Sequence, residues 1–336
     1  MRNNITLKEL AKLLNVSVST VSKALNDSPE ISQKTVERVK ELAALHKYRP
    51  NPIAVNLKSS KSGTIGVVIP NISNSFFAKV LSGMEAKAQQ EGLQVITYIS
   101  NESLEREKEI AELLTSGLVD GVLVAISEET QRKKEYDHLV NLMEYNIPLV
   151  LYDRTNLDIP VDKIGVDDEK SLADATTLLL SHGVSKIGIA TSIHHLGLGK
   201  LRISGYKKAL RSQDDFLIAN SSKPEVLREK VEKLLLKDKV DAMVCTDFES
   251  SMFVYRIAHE NGIKIPEELK IIGFLGKELA TLLSPSISYI EQFPEKIGKN
   301  AMELLINRIN KAKKTGATIE KIVKTELVHL ESTKFE

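Results

Sequence analysis

Apolar positions recur at two different periods along this chain, and the change falls near residue 63. Before it, Leu7, Leu10, Ala11 and Leu14 recur at helical spacing, as do Val18, Val21 and Leu25, and then Val36, Val39, Leu42, Ala43 and Leu45. These predict three short amphipathic helices. Thr6 followed by Glu9 is a capping box for the first, Asn15-Val16-Ser17 breaks it, Ser17 caps the second, and Ser32 caps the third. Pro50 and Pro52 stop any continuation. Beyond residue 63, apolar β-rich runs alternate with helical stretches. The runs are TIGVVIP (64–70), LQVITYI (93–99), VDGVLVAI (119–126) and IPLVLYD (147–153), then KIGIATSI (186–193), FLIA (216–219), VDAMVC (240–245) and KIIGF (270–274). Each series predicts a parallel sheet wrapped by helices on both faces. The series also echo one another: EREKEIAELLTSGLVDGVLV aligns with LREKVEKLLLKDKVDAMVC, which makes Asp120 and Asp241 equivalents. A duplication of this kind argues for two similar lobes.

A helix, a three-residue turn and a second helix with a polar start form a helix-turn-helix, whose second helix enters the DNA major groove. Val18, Ser19, Lys23 and Asn26 lie on its outer face or first turn. Val18 and Ser19 suit a thymine methyl and a base-edge acceptor, and Lys23 suits guanine or a phosphate. Lys23 and Asn26 also fit an ordinary solvated helix face. In the body, parallel lobes bind ligands in a crevice beside the carboxyl ends of their strands. The loops at those ends are 71–77, Asp153-Arg154, Asp167, 192–202, Asp247 and Leu275-Gly276.

The segments TLKELAKLLNVSVSTVSKALN, ISQKTVERVKELAALHKY and YRPNPIAVNLKS, in this order and spacing, resemble the lac/gal repressor family of bacterial transcription regulators. The resemblance runs through the whole chain. It implies a small all-α helix-turn-helix head on an α/β body of two Rossmann-like lobes, similar to a periplasmic sugar-binding protein. The expected organisation is a head over 1–48, a hinge helix and linker over 49–62, and an effector-binding and dimerisation domain over 63–336. Within the last, the N-lobe takes 63–161 plus 292–323 and the C-lobe 162–291 plus 324–332. By the same resemblance the DNA-contacting set extends to Thr6, Ser17, Thr20, Ser22, Ser32, Tyr48, Asn51 and Ala54, with Leu57 as a wedge in the minor groove. Its implied partners are a pseudo-palindromic operator, a second copy of the chain and a carbohydrate-like effector. Expected effector contacts are Phe76, Asp153, Arg154, Ser192, Arg202, Asp247 and Leu275, with Arg202 as the fork that holds the ligand.

Three departures touch that ligand set. Leu275 stands where relatives commonly have aspartate, Thr246-Asp247 replaces Asn-Asp, and Thr191-Ser192 followed by His194-His195 replaces a Gly-Pro loop. Either the effector is atypical and held by a different set, for which His194 and His195 are candidates although the pair fits solvated loop residues better, or the small-molecule response is reduced.

Charge divides the chain in the same place. Residues 1–62 hold 11 lysines and arginines against five acids, a net of +6, while 63–336 hold 35 against 40, a net of −5. A basic end suits contact with phosphates and predicts salt-sensitive binding. Cys245 is the single cysteine, no run of about 18 apolar residues spans a membrane, and no secretory leader is evident, so a cytoplasmic location is expected. Catalysis finds no constellation. GLGKLR (197–202) lacks the glycine of a dinucleotide loop and the Ser or Thr of a Walker motif, and no metal-spaced His/Cys cluster appears. No enzyme activity, metal or cofactor is expected. The competing reading is a solute-binding transport protein without a DNA role.

Overall fold

The computed structural model describes residues 5–48, 61–210, 216–310 and 317–334. The chain divides into two compact units, Met1–Ser62 and Gly63–Glu336. The first holds helices α1 (Leu7–Leu14), α2 (Val18–Leu25) and α3 (Gln33–Leu45). Local chemistry starts each helix. Thr6 and Glu9 cap each other, the Thr6 N–H donating to Glu9 Oε2 at 2.7 Å and the Glu9 N–H to Thr6 Oγ1 at 3.3 Å. Asn15 ends α1 in the left-handed region at φ 56°, a conformation asparagine tolerates better than most residues. Ser17 Oγ then accepts the Thr20 N–H at 3.1 Å and starts α2. The three helices share a core of Leu10, Ala11, Leu14, Val21, Ala24, Val36, Val39 and Ala43. Leu45, expected on that face, is 76% exposed, because two residues past Ala43 is about 200° round a helix.

The second unit contains two six-stranded sheets. One is built from β1 (Thr64–Ile69), β2 (Gln94–Ile99), β3 (Gly121–Val124), β4 (Leu149–Tyr152), β5 (Asp162–Val166) and β11 (Glu320–Val323). The other takes β6 (Ile187–Thr191), β7 (Leu217–Asn220), β8 (Ala242–Cys245), β9 (Lys270–Gly273), β10 (Ser288–Glu291) and β12 (Glu326–Val328). Their orders, β11-β5-β4-β3-β1-β2 and β12-β10-β9-β8-β6-β7, are the same pattern twice. Asp120 and Asp241 do the same job in each. Asp120 accepts the Gly63 N–H at 2.8 Å ahead of β1, and Asp241 accepts the Lys186 N–H at 2.9 Å ahead of β6.

Two expectations are corrected. The first sheet is parallel throughout, but in the second β12 runs antiparallel to β10. The lobe boundary expected at 162 lies after Val166 instead, because β5 pairs with β4 and β11 in the first sheet. Asp162, buried at the start of β5, receives Arg308 Nε and Nη2 at 2.6 Å each and the Ile319 N–H at 2.8 Å. That fork ties β5 to a helix and to the approach of β11. The later crossings fall at 292–293 and 324–325, between β10 and the helix that follows it and between β11 and β12.

Helix pairs cover the sheets and meet at glycines. In the N-lobe, α4 (Ser75–Gln90) lies against the helix Pro294–Asn310. A Cβ on Gly298 would sit 1.9 Å from Val80 O, and one on Gly83 2.0 Å from Glu295 O. Since backbone cannot yield as a side-chain tip can, Gly298→Ala is expected to destabilise the body by about 1–3 kcal/mol or more. Urea unfolding measures it, and an unchanged midpoint would contradict the close approach.

Candidate functional site

Two surfaces concern function, one in each unit. In the first unit, Val18 is 40% exposed at the start of α2, beside an exposed Ser19. Ser17, Ser19 and Thr20 form a hydroxyl cluster, with Ser17 Oγ 2.7 Å from Ser19 Oγ and 2.8 Å from Thr20 Oγ1. An exposed methyl pair, hydroxyls and the positive end of a helix thus share one turn. Other expected residues have commitments within the unit. Lys23 is paired with Glu30, and the Asn26 amide donates to Ser22 O at 2.8 Å. Thr6 and Ser32 serve as caps, and Thr20, Ser22 and Tyr48 are half-buried, with Tyr48 packed on the small core. Burial pushes the Tyr48 phenol above its ordinary range. The exposed Lys23–Glu30 pair is cheap to break, so Lys23 remains available to a phosphate. Asn51, Ala54 and Leu57 lie outside the described residues.

In the second unit a cavity of about 140 Å³ lies between the lobes, at the strand ends. Six of the seven expected effector residues line it: Phe76, Asp153, Arg154, Arg202, Asp247 and Leu275. Ser192 does not. Its N–H and hydroxyl are spent on Asp247, at 2.9 and 2.8 Å, so it holds a lining residue in place. Asp247 also caps the helix Phe248–Glu260, accepting the Ser250 N–H at 2.8 Å, and takes the Thr246 hydroxyl at 2.9 Å.

Arg202 is 4% exposed and fully engaged. Its Nε donates to Asp168 Oδ1 at 2.7 Å, Nη1 to Thr246 O, and Nη2 to Gln292 Oε1 at 3.2 Å, while its guanidinium carbon lies 3.7 Å from the centre of the Phe274 ring. Burial raises the Asp168 carboxyl above the usual range, and the Arg202 charge opposes that rise. Arg154 is likewise committed, donating to both oxygens of Glu102 at 2.5 and 2.8 Å and to Ile126 O at 2.9 Å. Asp153 sits in the left-handed region at φ 65°. Burial, the largest effect, pushes its carboxyl up to about 6 against the pull of Arg154.

Neither His194 nor His195, the candidates for an alternative ligand set, lines the cavity. His195 Nε2 instead lies 2.9 Å from Glu128 Oε1 of the other lobe. Sequence reasoning missed Phe248, Phe274 and Gln292. Phe248 directly follows the flagged Asp247, and Phe274 ends the KIIGF run. Gln292 sits at a lobe crossing, which was the signal for it.

Comparison with known proteins places both units. The family described as bacterial regulatory proteins, lacI family, matches residues 6–51, and a periplasmic binding protein-like domain matches 176–333. The chain is 30% identical over 312 residues to the HTH-type transcriptional repressor PurR of Aliivibrio salmonicida, covering 90% of this chain and 92% of that one. It is 29% identical over 315 residues to catabolite control protein A of Priestia megaterium, covering 92% and 93%. A crystal structure of the lac repressor dimer bound to operator and the anti-inducer ONPF superposes with a TM-score of 0.84 at 19% identity, over 98% of this chain and 99% of that one.

The raised Asp153 carboxyl has a stability consequence. A folded value above the unfolded one favours folding in the protonated form; that contribution is complete below pH ~4 and is lost as pH rises through about 6. Asp153→Asn is therefore expected to stabilise the free protein at pH 7.5 by on the order of 2 kcal/mol and to change little at pH 4. Thermal melts at the two pH values test this, and equal effects at both would contradict the burial argument.

Proposed function

Since the chain belongs to the lacI family of bacterial regulatory proteins, we propose that it is a cytoplasmic, dimeric repressor whose hold on a pseudo-palindromic operator is set by a small metabolite in the cleft between its lobes. The chain is a DNA-binding regulator and not an enzyme. The observation that carries the reading is the separate helix-turn-helix unit with Val18 and Ser19 exposed at the start of its second helix. A transport protein has no use for such a head. Among the described residues no helix is long and apolar enough to cross a membrane.

The roles of individual residues follow from chemistry. Val18 and Ser19 read base edges in the major groove, Lys23 neutralises a phosphate after releasing Glu30, and Ser17, Thr20 and Ser22 approach the backbone. Leu57 inserts at the operator centre, where an apolar wedge unstacks a base step and kinks the duplex. The body contributes the switch. Direct bonds span the cleft: Lys79 meets Glu278 at 2.5 Å, and the Gly197 N–H donates to Gln131 Oε1 at 3.0 Å. A ligand that favours one arrangement of the lobes shifts the N-lobes of the dimer and thereby the hinges that begin them. Operator and effector are then coupled reciprocally.

Two experiments test this. Recombinant protein is expected to shift genomic fragments carrying a two-fold symmetric site, with affinity falling steeply as salt rises and the shift lost on deleting residues 1–60. Failure to shift any fragment would refute the regulator reading. Leu57→Ala is expected to weaken specific binding at least tenfold while non-specific binding survives. Equal loss of both, measured by competition titration, would remove the wedge.

A further inference from the structure

Two N-lobe elements converge on one glycine of the C-lobe. Gly197 begins the helix Gly197–Leu210, and its N–H donates to Gln131 Oε1, on the N-lobe helix Glu128–Lys133, at 3.0 Å. A Cβ on Gly197 would lie 3.1 Å from Gln131 Nε2, 3.2 Å from Asn156 Cβ and 3.3 Å from Asn156 Nδ2. The Gln131 amide is a side-chain tip, but Asn156 Cβ is carried by backbone and moves only with it. Gly197 is not in the left-handed region, so space and not conformation calls for glycine here. Gly276, also in the C-lobe, offers a contrast. Its added Cβ would lie 3.7 Å from Lys79 Nζ and 4.0 Å from Ser75 Oγ of the N-lobe, which are ordinary contacts, and 3.3 Å from the flexible tip of Glu278 in its own lobe.

Both walls of the Gly197 contact are braced from behind. On the C-lobe, the Leu196 N–H donates to Ile193 O at 2.9 Å, and Gly199 is packed so closely that its own Cβ would sit 2.0 Å from Ile193 O. On the N-lobe, Glu102 accepts the Glu128 N–H at 2.7 Å, and the buried Glu107 accepts the Ser127 N–H at 2.5 Å and the Thr130 hydroxyl at 3.1 Å. Pressure at Gly197 is therefore relieved by displacing one lobe against the other more readily than by bending either wall.

The contact is tight without being adhesive. Among the described residues, seven buried side-chain nitrogens and oxygens have no hydrogen-bond partner, and four of them are here: Gln131 Nε2, His194 Nδ1 and both ring nitrogens of His195. His195 Nε2 lies 2.9 Å from Glu128 Oε1 yet makes no hydrogen bond. Polar groups buried unpaired oppose the arrangement that buries them. A surface that blocks closer approach while adding little attraction is a stop and not a latch. Leu196 and Leu198, on either side of Gly197, both line the cavity, so the stop and the cavity wall belong to one turn.

Resting on the reading of this cleft as the effector site, we propose that Gly197 is the closure stop of the body: contact of its backbone with Gln131 and Asn156 sets how far the lobes approach, and a side chain at this position holds the cleft open. Alanine asks the neighbours to give by a few tenths of an ångström, and valine places methyls about 1.5 Å beyond that. Lobes held apart displace the N-lobes of the dimer and change the grip on the operator.

The test measures the distance between the lobes in the full chain. Glu105 on the N-lobe helix Leu104–Leu114 and Glu225 on the C-lobe helix Pro224–Glu232 are exposed, and the single cysteine, Cys245, is buried. Spin labels on Glu105→Cys and Glu225→Cys, with the labelled chain diluted in unlabelled wild type, report that distance by double electron–electron resonance. Gly197→Val is expected to lengthen it by about 1–3 Å, and Gly197→Ala to lengthen it less. Gly276→Ala is expected to leave it unchanged. Gln131→Ala, which removes a bond but adds no obstacle, is expected not to lengthen it. An unchanged distance in whichever Gly197 variants keep a cooperative melting transition overturns the proposal. So does a lengthening in Gln131→Ala as large as that in the Gly197 variants, which would make the contact a latch. In gel shifts, Gly197→Val is expected to change specific operator affinity about threefold or more and to leave non-specific binding as it is. A lengthened distance with wild-type operator affinity overturns the link from the stop to DNA. A wild-type chain that shifts no DNA fails the regulator reading instead, and the distances then decide the stop by themselves.

Discussion

The body depends on a constraint of chain path: its polypeptide passes between the lobes three times, so neither sheet is complete without a strand returned from far along the sequence. The tightest instance is at the end. Val323 closes β11 in one sheet and Glu326 opens β12 in the other, leaving Lys324 and Thr325 as the whole connection. Such a connection allows rotation between lobes but not separation. The two later crossings are also tied to the C-lobe, through Gln292 to Arg202 and through Thr325 Oγ1 to Ser171 Oγ at 2.8 Å. A cleft that opens or closes does so about these residues. Its motion is thereby confined to a hinge, one of the standard ways a fold converts ligand binding into displacement.

Much of this fold was legible in the sequence where the signal was local. The head declared itself through caps at Thr6, Ser17 and Ser32, because a helix end is decided by hydrogen bonds a few residues long. Strands β1, β3, β4, β6, β8 and β9 were visible as apolar runs, since both faces of their sheets are covered. The sequences of β5, β10, β11 and β12 are DKIGV, SYIE, EKIV and ELV, too short and too charged to stand out. Long-range bonds make them strands. Asp162 and Arg308, 146 residues apart, fix β5, and Ser288 and Ser332 fix β10 against the last described segment. No window on the sequence contains both members of such a pair.

The cleft between the lobes shows the same limit at finer scale. The rule that ligands bind at strand ends found Phe76, Asp153, Arg154, Arg202, Asp247 and Leu275, because position along a strand is a backbone property. What each side chain does there depends on neighbours far away. Ser192 turns to Asp247, Arg202 is consumed by Asp168, and His195 reaches Glu128 on the other lobe. The arginine that the family resemblance marks as the ligand's fork lines the cavity with its guanidinium bonded to Asp168, Thr246 and Gln292.

Asp153 concentrates two unfavourable features that no packing requirement explains. A non-glycine residue in the left-handed region costs about 1 kcal/mol or more, and burying a carboxylate without a donor opposes folding further. Selection for stability alone would remove the second, for example with asparagine, which tolerates the same backbone and needs no counter-charge. Both features sit in the cavity lining, where backbone strain and perturbed carboxyls commonly gather. A ligand moves a conformational equilibrium only by the difference in its affinity for the two arrangements, and a lining drawn from both lobes, as here, is the kind that differs between an open and a closed cleft.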